Sequence, residues 1–232
     1  MVGRTRAPLP GRTYQVPTCT GGHRRRPWAA GRNLPYPSSM RHRALAAIGI
    51  AAVLFATAAC GSPDAPSFDP TGPCTTDGAA PGAYPDLEAR VPTTYEGQVP
   101  ERLDSGRNCS AENLGVLAGA GITEVRFAGG NWSFGGNRAA ALVVFAAPGL
   151  TADLIADFYA ESARTANRTE VTGESTANLA GESVRRLDST TGPRIQTIVV
   201  WSAADAGVVN VVITNDLPDP KIESAVAAFG GA

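Results

Sequence analysis

The feature that most constrains this chain is a run of sixteen residues, Ala44 to Ala59, in which Thr57 is the only polar residue. The cationic stub Arg41-His42-Arg43 comes directly before it. A cationic stub followed by a short apolar run is typical of a secretory signal. A transmembrane helix needs about 20 apolar residues, so we expect the run to act in export and not as a permanent span.

The apolar run ends in Thr57-Ala58-Ala59-Cys60. Small residues directly ahead of a cysteine resemble the lipobox of bacterial, actinobacterial-type lipoprotein precursors. The resemblance implies that the Cys60 thiol receives a diacylglyceryl group with acyl chains such as palmitate, and that Cys60 becomes the N-terminus after cleavage. It also implies a cell membrane location on the extracytoplasmic face. The alternative is an ordinary signal peptide cut after an Ala-x-Ala site.

Met40 stands where such a signal peptide should start, so residues 40–59 are predicted to be the signal. Residues 1–39 are rich in Arg, Pro and Gly and contain no acidic residue. We interpret them as a non-physiological extension that results from an upstream start codon. Arg24-Arg25-Arg26 could instead belong to a twin-arginine signal, but it lies far from the apolar run.

Charge is distributed unevenly along the chain. Residues 1–43 hold nine arginines and no acidic residue, which leaves 11 basic against 21 acidic residues and a formal charge of −10 from Cys60 onward. Such a surface repels phosphate, so no nucleic-acid partner is expected. The one later basic pair, Arg185-Arg186, is interpreted as a solvated sheet edge.

Residues 60–73 are predicted to be the lipidated cysteine and a flexible tether, because eleven of residues 61–73 are Gly, Ser, Pro, Asp or Thr. Cys74 and Cys109 then remain as an even pair in an oxidising compartment, which favours a disulfide. A redox or metal pair is the alternative. It is disfavoured because the two cysteines are far apart and no histidine follows Cys60.

Residues 74–232 are predicted to form a single extracytoplasmic α+β domain with a mainly antiparallel sheet. The predicted strands span 123–127, 139–147, 183–187, 195–201 and 208–214, with turns at Gly135-Gly136-Asn137 and Asp205-Ala206-Gly207. Three helices are expected, capped by Ser110, Thr151 and Asp219. Their apolar residues fall on one side, so we expect all three on one face of the sheet.

The two halves of the chain show a weak similarity. Arg-Leu-Asp-Ser occurs at residues 102–105 and again at 186–189, each time ahead of two strands and a helix. One hypothesis is a duplicated β-β-β-α unit whose first copy carries an inserted helix, and chance similarity explains the pattern equally well.

Catalytic motifs are scarce. The absence of histidine after Cys60 excludes Ser-His-Asp and Cys-His catalysis within that part of the chain. No phosphate-binding glycine motif occurs, and no catalytic residue, metal site or cofactor is predicted. Carboxylate-pair hydrolysis needs only Asp and Glu and stays open as an alternative.

Trp132 and Phe134 lie between two glycine pairs. They could form a flexible aromatic lip that contacts a ligand or partner. Their i, i+2 spacing also suits core packing from one strand face, with a bulge at Gly129-Gly130.

From these features we expect a non-catalytic lipoprotein that binds an envelope protein or another ligand. A second hypothesis is a carrier of lipid or another apolar molecule, with a void of several hundred Å³ between the sheet and its helices.

The first prediction concerns processing. The intact mass of the protein extracted from membranes should correspond to a chain that begins at Cys60, carries a diacylglyceryl group and lacks two hydrogens through the Cys74–Cys109 disulfide. A soluble product that still begins at Met1 or Met40 would contradict the lipobox interpretation.

Overall fold

The computed structural model describes residues 68–231, all of which belong to one compact unit. The predicted signal peptide, Cys60 and residues 61–67 of the tether lie outside the described residues. The strands are β1 (Gly78–Ala80), β2 (Arg102–Asn108), β3 (Val125–Ser133), β4 (Ala139–Ala146), β5 (Thr169–Leu179), β6 (Glu182–Thr191), β7 (Arg194–Ser202) and β8 (Val208–Asn215). The helices are α1 (Pro85–Glu88), α2 (Ala111–Leu114), α3 (Val116–Gly119), α4 (Ala152–Thr165) and α5 (Asp219–Ala228). None of these helices has the length and hydropathy that a membrane span requires.

The eight strands form one sheet in the order β1-β2-β3-β4-β8-β7-β6-β5, and every neighbouring pair is antiparallel. The predicted α+β class with a mainly antiparallel sheet is therefore confirmed. Both predicted turns are present, with positive φ at Gly135 and Gly207. Strands β1, β2 and β5 were not among the five predicted strands, although the hypothesis of a duplicated unit implied a strand near residues 102–105.

The sheet is covered on both faces, which corrects the expectation of helices on one face. Along β4, Val143 and Phe145 pack against α4, whereas Leu142 and Val144 belong to the core that contains α5. We call these sides the α4 face and the α5 face. Helices α2 and α3 share the α4 face, and Leu87 of α1 packs on the α5 face. Central strands that are apolar on both faces need cover on both.

Arg185 and Arg186 do not mark a sheet edge, because β6 lies between β5 and β7. As neighbours on one strand they point to opposite faces. Arg185 pairs with Asp153 in the first turn of α4 at 2.7 Å. Arg186 pairs with Asp219 in the first turn of α5 at 2.9 Å. One dipeptide thus contacts the start of a helix on each face.

The hypothesis of a duplicated unit is wrong in its helices. Strands β4 and β8 are antiparallel neighbours at the centre of the sheet. A rotation that superposes one on the other turns about an axis perpendicular to the sheet and keeps each face in place. Yet α4 and α5 lie on opposite faces, and the motif leucines Leu103 and Leu187 do as well. The two halves therefore share the order of their strands, but the helix that follows the strands lies on opposite faces of the sheet in the two halves.

The expected helix starts are nearly correct. The side chains of Ser110 and Thr151 accept hydrogen bonds from the backbone N–H groups of Asn113 and Leu154, both at 3.2 Å. The third helix begins one residue earlier than expected. Its N-cap is Pro218, and Asp219 is its first residue.

Hydrogen bonds from Arg107 and a disulfide stabilise the N-terminal part of the domain. The buried Arg107 guanidinium donates hydrogen bonds to the carbonyl oxygens of Asp69, Gly72 and Pro73 at 2.7–3.1 Å. Residues 69–73, predicted to be part of the tether, therefore belong to the folded domain. The predicted disulfide joins Cys74 to Cys109 and is confirmed.

The second prediction concerns this disulfide, which joins residues separated by 35 positions. Reduction should lower the free energy of unfolding by about 4 kcal/mol, because a closed loop of that length restricts the unfolded chain. Urea unfolding with and without reductant measures the difference. A Cys74→Ser/Cys109→Ser variant should match the reduced protein and show no effect of reductant. Equal midpoints for the oxidised and reduced protein would contradict the prediction.

Candidate functional site

A cavity of about 620 Å³ lies on the α4 face of the sheet. Its floor is formed by β3, β4, β8 and β7, its roof by the C-terminal half of α4, and one side wall by α2 and α3. The lining is mostly apolar. Small-molecule sites in proteins typically measure about 300–1,000 Å³, so the volume suits a ligand of moderate size.

Two rows of residues across the sheet make up the floor, and the sheet register aligns them. The inner row is largely apolar and the outer row is largely polar. The inner row is Asn131, Ala141, Ile213 and Ile198, and the outer row is Ser133, Ala139, Asn215 and Gln196. Polarity therefore rises toward the strand ends.

The cavity follows from a gradient of side-chain size along β4. On the α4 face this strand presents Ala139, Ala141, Val143 and Phe145 in order. Val143 and Phe145 are buried in the core, whereas the two alanines border the cavity. The ring of Phe145 contacts the ring of Tyr159 on α4, with 6.5 Å between the ring centroids. The core is therefore filled at one end of the strand and empty at the other.

Helix α4 contributes aromatic and small residues to the roof. Phe158 and Tyr159 contact each other edge to face at 5.4 Å, and Ala163 and Ala166 follow toward the C-terminal end. Tyr159 is buried, and its hydroxyl has no hydrogen-bond partner in the described structure. Burial raises the pKa of this hydroxyl, so it stays protonated at physiological pH.

The side wall is held in place by Asp77. Its carboxylate accepts hydrogen bonds from the backbone N–H groups of Cys109 and Ser110 at 2.6 and 2.9 Å, from Asn113 Nδ2 at 2.7 Å and from the Ser110 hydroxyl. Partial burial raises the pKa of Asp77, but the hydrogen bonds from Ser110, Cys109 and Asn113 outweigh it, so the net pKa is lowered.

Gly115 joins the two short helices of the wall. Its φ of 50° and ψ of −125° form a conformation that is accessible in practice only to glycine. A Cβ at this position would lie 3.6 Å from the Phe158 ring. The turn thus brings the wall against the roof, and Val116, next to Gly115, is 40% exposed at the border of the cavity.

The mouth of the cavity carries negative charge. Glu112 of α2 and Glu161 of α4 both line it and are exposed. No Lys, Arg or His is among the lining residues. Among the described residues neither carboxylate has an ion-pair partner. Neither glutamate stands out in the sequence, because acidic residues are frequent throughout the domain.

The side chains of the two aromatic candidates pack on the α5 face, although Trp132 also borders the cavity. The Trp132 side chain is 1% exposed on the α5 face, and its Nε1 donates to the Gln98 carbonyl oxygen at 2.9 Å. Phe134 is partly buried against Tyr95, and Lys221 Nζ lies 4.9 Å from its ring centroid. This arrangement matches core packing and contains no aromatic lip.

The bulge that was expected at Gly129-Gly130 is absent, because β3 keeps its register with β4 through both glycines. Gly130 has another role. A Cβ there would lie 2.7 Å from the Trp132 ring and 3.1 Å from Pro100. The glycine therefore provides the space that lets the indole ring lie flat in the core.

No group of three or more His, Cys, Asp or Glu side chains that could hold a metal occurs within residues 68–231. Comparisons with known protein families and with curated proteins found no match to this chain.

The third prediction concerns Asp77. Asp77→Asn should lower the free energy of unfolding by about 1–2 kcal/mol at pH 7, since the amide replaces an acceptor oxygen with a donor. Because the folded-state pKa of Asp77 is lowered, its stabilisation is present above the unfolded-state pKa and is lost as pH falls through the folded-state pKa.

Urea unfolding at pH 7 and at pH 3 checks both parts of this prediction. The difference between wild type and Asp77→Asn should shrink at the lower pH. Asp86→Asn, an exposed first-turn substitution in α1, is the matched control and should have little effect at either pH. A difference that is constant with pH would show that the Asp77 charge is not responsible.

Proposed function

We propose that this protein is a non-catalytic binding protein of the cell envelope that holds an apolar small molecule between its sheet and α4. The observation that carries the proposal is the cavity of about 620 Å³ with a mostly apolar lining. An empty apolar space of this size leaves many dispersion contacts unmade. A ligand that fills it gains those contacts and removes its own apolar surface from water.

The shape of the cavity supports reversible binding. Buried residues, among them Tyr159, Ala163 and Ile198, line its inner part, while exposed residues border its mouth. A ligand can therefore enter from solvent at one end and be enclosed at the other. This matches the carrier hypothesis more closely than binding of a partner through an exposed aromatic surface, since Trp132 is buried.

We also propose that the protein is located at the cell membrane. Lipidation at Cys60 would anchor the domain at the extracytoplasmic face of the membrane, where apolar ligands are abundant. Two acyl chains would make the attachment stable, at about 0.8 kcal/mol for each buried CH₂ group. Residues 61–67 would then be the chain between the anchor and the segment that contacts Arg107.

The fourth prediction tests the cavity directly. Ala141→Phe should abolish binding of the neutral fluorophore N-phenyl-1-naphthylamine to the full chain, since the new ring occupies the floor of the cavity. The melting temperature should stay the same or rise, because the substitution fills empty apolar space. Fluorescence titration and thermal unfolding measure the two effects.

Ala89→Phe is the matched control, because Ala89 is an exposed residue at the end of α1. It should leave fluorophore binding unchanged. Ala141→Leu provides a smaller change if the phenylalanine disturbs folding, and it should weaken binding. A folded Ala141→Phe protein that binds the fluorophore as tightly as wild type would overturn the proposed function.

A further inference from the structure

The proposed function leaves the polar end of the ligand undefined, and the mouth of the cavity constrains it. Two kinds of groups are found there: the exposed carboxylates of Glu112 and Glu161, and a set of side-chain amides. The lining contains no basic residue that could neutralise an anionic headgroup. The mature chain also has a formal charge of −10. The lining therefore offers an anionic headgroup no counter-charge, and the net charge opposes such a ligand.

The amides offer unused donors and acceptors at adjacent positions. Gln196 Nε2 donates to Asn215 Oδ1 at 3.3 Å, which leaves the Gln196 oxygen as an acceptor and the Asn215 nitrogen as a donor. Deeper than these two amides, Asn131 lies half-buried in the inner row of the floor, and its side-chain amide forms no hydrogen bond with a described residue. A ligand hydroxyl both donates and accepts, so it can satisfy either kind of group.

We infer that the ligand is a neutral amphiphile with an apolar chain and an uncharged, hydroxyl-bearing head, and not a fatty acid or an anionic phospholipid. The inference rests on the proposed function. The apolar chain occupies the inner part beside Ile198 and Ile213, and the hydroxyls meet the amides and the two glutamates at the mouth. A carboxylate head lacks a donor and is repelled by Glu112 and Glu161. A quaternary ammonium head is attracted by them but forms no hydrogen bond with the amides.

The experiment compares three probes that share a fourteen-carbon chain and differ only in the head. Monomyristoylglycerol, myristate and tetradecyltrimethylammonium each displace N-phenyl-1-naphthylamine from the full chain at pH 8, below their micelle concentrations, with Ala141→Phe as the blank. Monomyristoylglycerol should bind tightest. Myristate should bind about fivefold or more weakly at low salt, because the head is repelled and loses hydrogen bonds.

A charge variant separates repulsion from shape. Glu112→Gln/Glu161→Gln should raise the affinity for myristate by about two- to fivefold at low ionic strength and by less at high salt, where screening is stronger. The affinity for monomyristoylglycerol should change less than that for myristate, because its head carries no charge and a glutamine can still accept a hydrogen bond from a ligand hydroxyl. Glu170→Gln/Glu182→Gln is the control, since both residues are exposed on β5 and β6 outside the cavity lining, and it should change neither affinity.

Myristate binding as tightly as monomyristoylglycerol would overturn the inference, as would tightest binding of the ammonium amphiphile or displacement by none of the three. In each case the proposed function stands as long as Ala141→Phe removes fluorophore binding. If wild type binds no fluorophore, or if the blank binds it equally, the proposed function fails as well.

Discussion

The architecture depends on one constraint, which is that the central strands are apolar on both faces. Strands β4, β7 and β8 each present buried residues to both cores, such as Leu142 and Val143 on β4. Leaving either face in water would expose a large apolar area at about 25 cal/mol for each Å². Helix α4 crosses one face on its way from β4 to the far edge strand β5, and α5 returns over the other face. Arg185 and Arg186 contact both helices from a single strand.

The cavity exists because a helix can cover one face of a sheet without the side chains between them filling the space. Helix α4 packs over β5, β6, β7 and β8, but the floor beneath its C-terminal half contains alanines and polar residues beside Ile198 and Ile213. On this face of β4, Ala139 and Ala141 are small, whereas the next two residues on the same face, Val143 and Phe145, are large. Interiors of this kind are normally packed to crystal-like density. A face that is covered but incompletely filled is therefore a feature of a binding site more than of a structural core.

The strand pattern and the caps could be predicted from the sequence, because alternation and local hydrogen bonding act over a few residues. β5 was missed because it is an exposed edge strand, with charged residues such as Glu170 and Glu174 and a register shift near Gly173. The face on which each helix lies depends on long-range packing, which an amphipathic pattern does not encode. The cavity was expected only in general terms, since no sequence rule brings Gly115, Ala141 and Ala163 together. Trp132 was considered as a contact residue because its spacing does not say which face of β3 is covered.

The side wall explains how such a cavity can keep its shape. Helices α2 and α3 have four residues each, and isolated helices shorter than about 12 residues are marginal in water. Their order must therefore come from outside: Leu114 and Leu117 pack into the core, Asp77 binds the first turn of α2, and the Cys74–Cys109 disulfide lies directly before it. Because all of these contacts are made within the protein, the proposed ligand would not have to order the wall. Preorganisation of this kind lowers the entropic cost of binding, so the disulfide loop that stabilises the domain would also favour the proposed binding.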